Sequence, residues 1–406
     1  MKRLLWPLLL LPLVLLTVTF AAPPLPEQGS AALTAVLERA VARGDVPGVV
    51  VTVVDRDGVL YHEAFGQSST IERTPMVRDT IFNMASMTKA ITSVAVMMLV
   101  DEGKLSIDDE VAQYLPQFAD REVVSRFDEA DGSFETRPAE RPITIRHLLT
   151  HTSGIGYGFS SPTLSRIMQA TGRNELESPL LFEPGESWAY GASTRVLGQL
   201  VEAVSGQPLD AFLQTRILGP LGMGDTGYQV PEAKHARVVA VNTRGADGSF
   251  VEQQRPATAR SNVAGDGGLY GTAGDYGRFL RMLLNGGRLG DARVLRAATV
   301  GTMFENHTGD VVVPLQRSTN QGLSRDFPLG AGEDHWGLGF QLAAGRQAHR
   351  RAPGSGTWAG IFNTHFFVDP TTGIGVVVMM QTLPFYDERS MQVYAGVEEA
   401  VYAHLP

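Results

Sequence analysis

Two apolar hairpin patterns, one near each end of the 406-residue chain, constrain its fold more than any other feature. Near the N-terminus "GVVVTVV" and "LYHEAFG" flank Asp55-Arg56-Asp57-Gly58. Near the C-terminus "NTHFFVD" and "GIGVVVMMQ" flank Pro370-Thr371-Thr372-Gly373. β-Branched and aromatic runs broken by Asp, Pro and Gly read as antiparallel strands around turns. Residues 30–43 ahead of the first pair and 388–404 behind the second have helical spacing. This mirrored order implies one sheet built from both termini, with helices on it.

Between the two hairpins the spacing predicts helices at 86–102, 145–150, 194–204, 210–217 and 274–285, separated by Gly- and Pro-rich loops. The expected class is α/β in the α+β sense: an antiparallel sheet of N- and C-terminal strands flanked by helices, with a mainly helical region inserted. The sheet-bearing part spans about 30–85 and 260–406, the helical part about 86–260. A charged stretch from about Asp120 to Arg141 has few apolar residues and reads as a surface excursion. No repeat of 20–50 residues is present, which argues against a solenoid or propeller.

The N-terminus reads as a separate object. Lys2 and Arg3 precede an apolar run from Leu4 to Val18, and Thr19-Phe20-Ala21 offers small residues at the −3 and −1 positions of a cleavage site. This is a secretory signal pattern, with cleavage after Ala21 and export to the periplasm or beyond the cell. Pro7 and Pro12 interrupt a run already short for a bilayer, so no stable membrane span is expected after cleavage. The absence of cysteine removes disulfides, thiolate nucleophiles, thiolate metal sites and lipoprotein anchoring. A net charge of −9 without any basic block lacks the electrostatic footprint of a nucleic-acid binder.

Lysine is scarce, limited to Lys2, Lys89, Lys104 and Lys234, yet Lys89 falls within "FNMASMTKAITSVAVMMLVDEG", residues 82–103. That stretch reads as a buried helix: Asn83 or Ser86 can cap it, Ala90, Ile91, Val94, Met97 and Met98 repeat at helical spacing, and Gly103 can end it. Residues three apart share a helix face, so Ser86 and Lys89 are neighbours, with Ser86 in the first turn where free N–H groups favour a developing anion. A serine nucleophile is compatible with this geometry, with a desolvated, neutral lysine taking or passing its proton. The alternative is a lysine that snorkels to solvent beside a serine that only caps. The Ser-x-x-Lys pair alone leaves both readings open.

Its context is more specific. "ASMTKAITS", "HLLTHTSG", "FEPGESWAYGAS" and "GGLYGTAGDYGRFLRMLLNGG", in this order, resemble the serine β-lactamase and penicillin-binding superfamily, and more narrowly its class C-related esterases and acyltransferases. The resemblance runs from about residue 30 to 404. It implies that Ser86 is the acylated nucleophile, Lys89 its proton partner and Tyr190 a second general base. The backbone N–H groups of Ser86 and Ile361 would hold the oxyanion, and no cofactor is implied. Taken alone, Tyr190 is one of ten tyrosines and reads as a packed side chain with a bonded hydroxyl. A cationic Lys89 would favour its phenolate, so the two should titrate as a pair, with the identity of the base left open.

Two departures from the family pattern bear on the substrate. Where the family's β-lactamases carry Tyr-x-Asn, this chain has Tyr190-Gly191-Ala192, and alanine offers no side-chain hydrogen bond to a substrate amide. No Lys-Thr-Gly is present; the matching site is Trp358-Ala359-Gly360, a form resembling the family's esterases and acyltransferases, without the cation that holds a penicillin carboxylate. From the residues alone, Trp358 to Ile361 reads equally as an edge strand with a packed indole. The expectation is hydrolysis or acyl transfer on a small ester or amide substrate through acyl-Ser86. A β-lactamase or D-Ala-D-Ala carboxypeptidase is the alternative, and a non-catalytic binding protein a third.

In "GDGGLYGTAGDYGRF", Gly267 to Tyr270 are expected to line the acyl pocket, ahead of a helix starting near Thr272 or Asp275, and loops around 154–175 and 305–335 to shape it. His147 and His151 have the i, i+4 spacing of a metal pair. Leu148 replaces the glutamate of His-Glu-x-x-His and no third ligand is evident, so no metal is expected. The chain contains no Gly-x-Ser-x-Gly elbow, Walker P-loop or Gly-x-Gly-x-x-Gly, which argues against an α/β-hydrolase triad and against nucleotides.

Overall fold

The computed structural model describes residues 25–253, 261–345 and 348–405, so the segment read as an export signal lies outside the described residues. Helix α1 (Glu27–Ala42) leads into strands β1 (Gly48–Val54), β2 (Val59–Ser69) and β3 (Thr74–Pro75). Helices α2 (Thr88–Asp101), α3 (Ser193–Ser205) and α4 (Ala273–Leu284) follow. Strands β4 (His335–Trp336), β5 (Gln341–Leu342), β6 (Gly356–Gly360), β7 (Thr364–Asp369) and β8 (Ile374–Met379) then precede helix α5 (Glu388–Tyr402). The sheet runs β4-β5-β6-β7-β8-β1-β2-β3 with every pair antiparallel.

The two ends of the chain meet at β1 and β8, with Val50 opposite Met379 and Val51 opposite Val378. Both hairpin turns are made the same way. Asp55 Oδ1 accepts the N–H groups of Asp57 at 2.8 Å and Gly58 at 2.7 Å, and Asp369 Oδ1 accepts those of Thr371 at 2.9 Å and Thr372 at 3.1 Å.

The central strands are unbroken valine runs because both faces of the sheet are covered. Val49, Val51, Val53, Val376 and Val378 pack with Leu33 and Leu37 of α1 and Val397 of α5, whereas Val50, Val54, Val377 and Met379 join the core containing Phe279 and Leu280 of α4. The two-residue period therefore alternates between two cores rather than between core and water. Fully burying one such valine is worth roughly 1.5 kcal/mol or more.

The inserted region is mainly helical, as its spacing predicts, with additions that include an antiparallel pair of Asn242–Arg244 and Phe250–Glu252. The charged stretch after Asp120 is a surface β-hairpin of Glu122–Phe127 and Phe134–Pro138. A helix at Pro162–Thr171, capped by the Ser161 hydroxyl on the Leu164 N–H, was not apparent from spacing. Among the described residues no helix is long and apolar enough to cross a membrane.

Candidate active site

Ser86 lies in a 3₁₀ turn, Ala85–Met87, that feeds α2. Asn83 Oδ1 accepts the Ala85 N–H at 3.0 Å, and Ala85 takes φ of +44°, a conformation unfavourable for a residue with a Cβ. The sequence offered Asn83 or Ser86 as the helix cap, and neither plays that part. Asn83 braces the preceding turn, and α2 starts at Thr88 without a side-chain cap. The Ser86 hydroxyl is thereby left for other partners: Tyr190 OH lies 2.7 Å from its Oγ, and Lys89 Nζ donates to it at 3.2 Å.

Helix α2 is buried on every side from Thr88 to Leu99, so Lys89, 3% exposed, has no route to solvent. Its three ammonium protons meet three acceptors: the Asp266 carbonyl at 2.7 Å, Tyr157 OH at 3.1 Å and Ser86 Oγ. The apolar sheath expected from the sequence is thus a polar nest. Tyr157 OH donates in turn to the Asp266 carboxylate, which pairs with Arg195 Nη2 at 3.0 Å. Burial pushes the Asp266 carboxyl up, but the Lys89 and Arg195 charges and the Tyr157 hydrogen bond hold it below the usual carboxylate range. Burial, then Asp266 and Tyr190, drives the Tyr157 phenol well above the ordinary tyrosine range, so it stays neutral and bridges the ammonium to the carboxylate.

Tyr157, Asp266 and Arg195 were not singled out from the sequence. The available signals were weak: "SGIGYG" within a loop expected to shape the pocket, and an acid within a glycine-rich run. Gly191 explains how the two tyrosines come together. A Cβ there would lie 1.9 Å from the Ile155 carbonyl, so only glycine lets the Tyr190 segment cross the Tyr157 loop, and the rings sit 5.1 Å apart.

The two histidines of "HLLTHTSG" do separate jobs. His147 Nδ1 accepts the Thr144 N–H at 3.2 Å while Thr144 Oγ1 accepts the His147 N–H, a reciprocal cap on the helix Ile145–Leu149. His151 packs 5.4 Å from the Tyr190 ring and 5.1 Å from Trp336. Burial, helped by the Lys89 charge, pushes its imidazole down to about 3, so the ring is neutral.

The opposite wall comes from β6, which lies between β5 and β7 and is therefore not the edge strand that its residues also allowed. A Cβ on Gly360 would lie 2.3 Å from the Met84 carbonyl, so glycine lets the end of β6 close onto the turn that precedes Ser86. Trp358, 6% exposed, packs 4.9 Å from Tyr190, 4.8 Å from Trp336 and 5.7 Å from Phe327. Between these walls lies a cavity of about 230 Å³ lined by Ser86, Tyr190, Trp358, Ala359 and Ile361. Tyr157–Ser160, residues between Gln316 and Phe327, and Phe385 complete it. The 154–175 and 305–335 loops thus both reach it.

Other sequence candidates lie elsewhere. Tyr270 packs with Ile81, Val230 and Val238, and none of Gly267 to Tyr270 lines the cavity. That segment backs the nucleophile turn instead: the Leu269 carbonyl accepts the Met84 N–H at 2.9 Å, and the Leu269 N–H donates to Thr88 Oγ1 at 3.3 Å. Ala192 is fully buried at the start of α3, away from the cavity. Helix α4 does begin at Thr272, whose Oγ1 accepts the Asp275 N–H at 3.1 Å.

The sequence profile described as beta-lactamase matches residues 33–399. Lovastatin esterase of Penicillium rubens is 31% identical over 374 residues, covering 86% of this chain and 92% of its own. Esterase EstB of Burkholderia gladioli is 29% identical over 413 residues, covering 92% and 95%. Among solved structures, the LovD6 mutant of simvastatin synthase from Aspergillus terreus superposes with a TM-score of 0.78 at 26% identity, covering 93% of this chain and 95% of that one. A match of this length, on a fold shared with relatives of the same kind, makes the chain a member of the beta-lactamase family and a serine hydrolase.

Proposed function

We propose that the protein hydrolyses small carboxylic esters, or transfers their acyl group, through an acyl-Ser86 intermediate. The observation that carries this reading is Ser86 Oγ within hydrogen-bond reach of both Tyr190 OH, at 2.7 Å, and Lys89 Nζ, at 3.2 Å, on a cavity walled by Trp358. The Lys89 ammonium lies 4.9 Å from the Tyr190 ring centroid, so both groups crowd the Ser86 hydroxyl. Tyr190 then takes the Ser86 proton as Oγ attacks the ester carbonyl, and returns it to the departing alkoxide. Water or a second alcohol attacks the acyl-serine to release the acyl group. The backbone N–H groups of Ser86 and Ile361 are the donors for the carbonyl oxygen, each worth roughly a hundredfold or more in rate.

One feature of the cavity favours esters over β-lactams: the indole of Trp358 on its wall, where the family's β-lactamases carry a cation. The relatives named as esterases and acyltransferases support the same choice. Purified protein should turn over p-nitrophenyl butyrate and process nitrocefin far more weakly. Ser86→Ala should abolish both turnover and fluorophosphonate labelling while the melting temperature holds. Strong nitrocefin turnover without ester turnover, or a label on another serine, would sink the proposal. Residues 1–21 are further proposed to direct export, with the exported protein beginning at Ala22 on N-terminal sequencing; an intact Met1 would refute it.

A further inference from the structure

The cavity at Ser86 pairs an aromatic wall with the hydroxyls of the nucleophile end and a polar stretch between Gln316 and Arg325. Of the fifteen described residues around it, only Arg317 and Arg325 carry a charge, and no described carboxylate lines it. The chain as a whole carries −9, so a purely cationic lining runs against the background charge.

The segment bearing both arginines is clamped. The Phe327 N–H donates to the Gln316 carbonyl at 2.9 Å and the Arg325 N–H to the Phe385 carbonyl at 2.8 Å, while the Thr319 N–H donates to the Phe159 carbonyl at 2.9 Å. The segment is therefore tied to both other stretches that complete the cavity, and the arginine backbones are held at its margin. Arg317 Nη1 reaches Asp326 at 3.4 Å in a solvent-exposed pair, a contact of little strength. Arg325 Nη1 meets only the Gln321 amide oxygen, at 3.5 Å, and no described carboxylate pairs with it. The rings of Trp358, Phe327 and Phe385 line the same cavity.

We infer that this margin selects esters carrying a carboxylate at the end remote from the scissile bond, with an apolar body against the aromatic wall and the anion on Arg325 and Arg317. Guanidinium groups suit the task because their paired N–H donors match a carboxylate. The inference rests on the reading of the cavity as the Ser86 acylation site. These cations stand on the loop between Gln316 and Phe327, not at the β6 position where the family's β-lactamases carry theirs. Both guanidinium groups are exposed, so the preference should be roughly threefold to tenfold and should shrink with salt.

The test compares mono-p-nitrophenyl suberate with its methyl-capped counterpart at low ionic strength. Wild-type kcat/KM should favour the free acid by roughly threefold to tenfold, mostly through KM, and the ratio should fall to about one in the R317Q/R325Q double variant. A wild-type ratio at or below one, or a preference that survives the double substitution, would overturn the inference. A second arm needs no turnover: titrating the Ser86→Ala protein by calorimetry with 4-phenylbutyrate and 4-phenylbutyramide. Tighter binding of the acid, lost with both arginines, supports anion selection even if no ester is hydrolysed, in which case the esterase reading alone fails; equal binding of the two refutes it.

Discussion

Two buried clusters in this protein are built from the same parts and end differently. In the first, Lys89 and Arg195 face Asp266 across Tyr157, and the neutral ring of His151 packs 5.4 Å from Tyr190. In the second, Arg351 Nη1 donates to Tyr394 OH at 2.6 Å, Glu398 accepts from Arg350 Nη1 at 2.9 Å and from the Arg351 N–H at 3.1 Å, and His365 stacks 4.5 Å from Tyr394. Burial, with a nearby cation, pushes both histidines down to about 3. The difference lies at the open end. The Lys89 cluster reaches Ser86 Oγ, whereas the Arg351 cluster ties the segment before β6 to α5. A compact ammonium can serve two structural acceptors and still touch a nucleophile, while a planar guanidinium locks a fixed interface.

The sharpest way to break this contrast is Lys89→Met. It should lower kcat on p-nitrophenyl butyrate by about a thousandfold, and retained turnover would make the first cluster structural too. Tyr190→Phe comes next, at about a hundredfold in kcat under steady-state conditions. Asp266→Asn should register on both scales, with kcat down about tenfold and about 3 kcal/mol lost in urea unfolding, because it leaves buried cations short of a partner. Glu398→Gln should show a similar stability loss with kcat within about twofold; a large kinetic effect would join the two clusters functionally.

The most gradual effect is the pH response that the clusters share. Each histidine is held neutral in the fold, down to about 3, against an ordinary value of 6.5, so the unfolded chain takes up the proton first. Stability is then intact above about pH 6.5 and falls as pH drops toward 3, by up to about 1.4 kcal/mol per pH unit for each ring. Urea midpoints between pH 6.5 and 4.5 should flatten by about one proton in His365→Phe and again in His151→Phe; an unchanged slope in either would show that its imidazole is not the buried neutral group.

Legibility in the sequence tracked distance along the chain. Ser86 and Lys89 are three residues apart, so helix geometry alone makes them neighbours, and Tyr190 could be named only through the family resemblance that its contiguous motif carries. Tyr157 and Asp266 meet Lys89 across 68 and 177 residues, separations for which no spacing rule exists. Tyr270 illustrates a subtler limit. The close approach of its glycine-rich segment was legible, but the side on which the tyrosine falls depends on its pairing with Asn83, which directs the ring into the Ile81 cluster. Trp358 could be read as an edge residue because a strand does not encode how many neighbours it will have.

The sequence by itself determined the terminal hairpins, the shared sheet, the helical insertion and the serine–lysine pair. Each follows from short-range terms: side-chain period, turn chemistry and the 3.6-residue helix. Only the tertiary structure decided that Lys89 sits in a polar nest, that Ser86 is not a cap, and that the cavity's cations come from Arg317 and Arg325 rather than from β6. Those outcomes depend on which distant backbones can approach closely, at Gly191 and Gly360 above all, and on which buried charges find partners once they do.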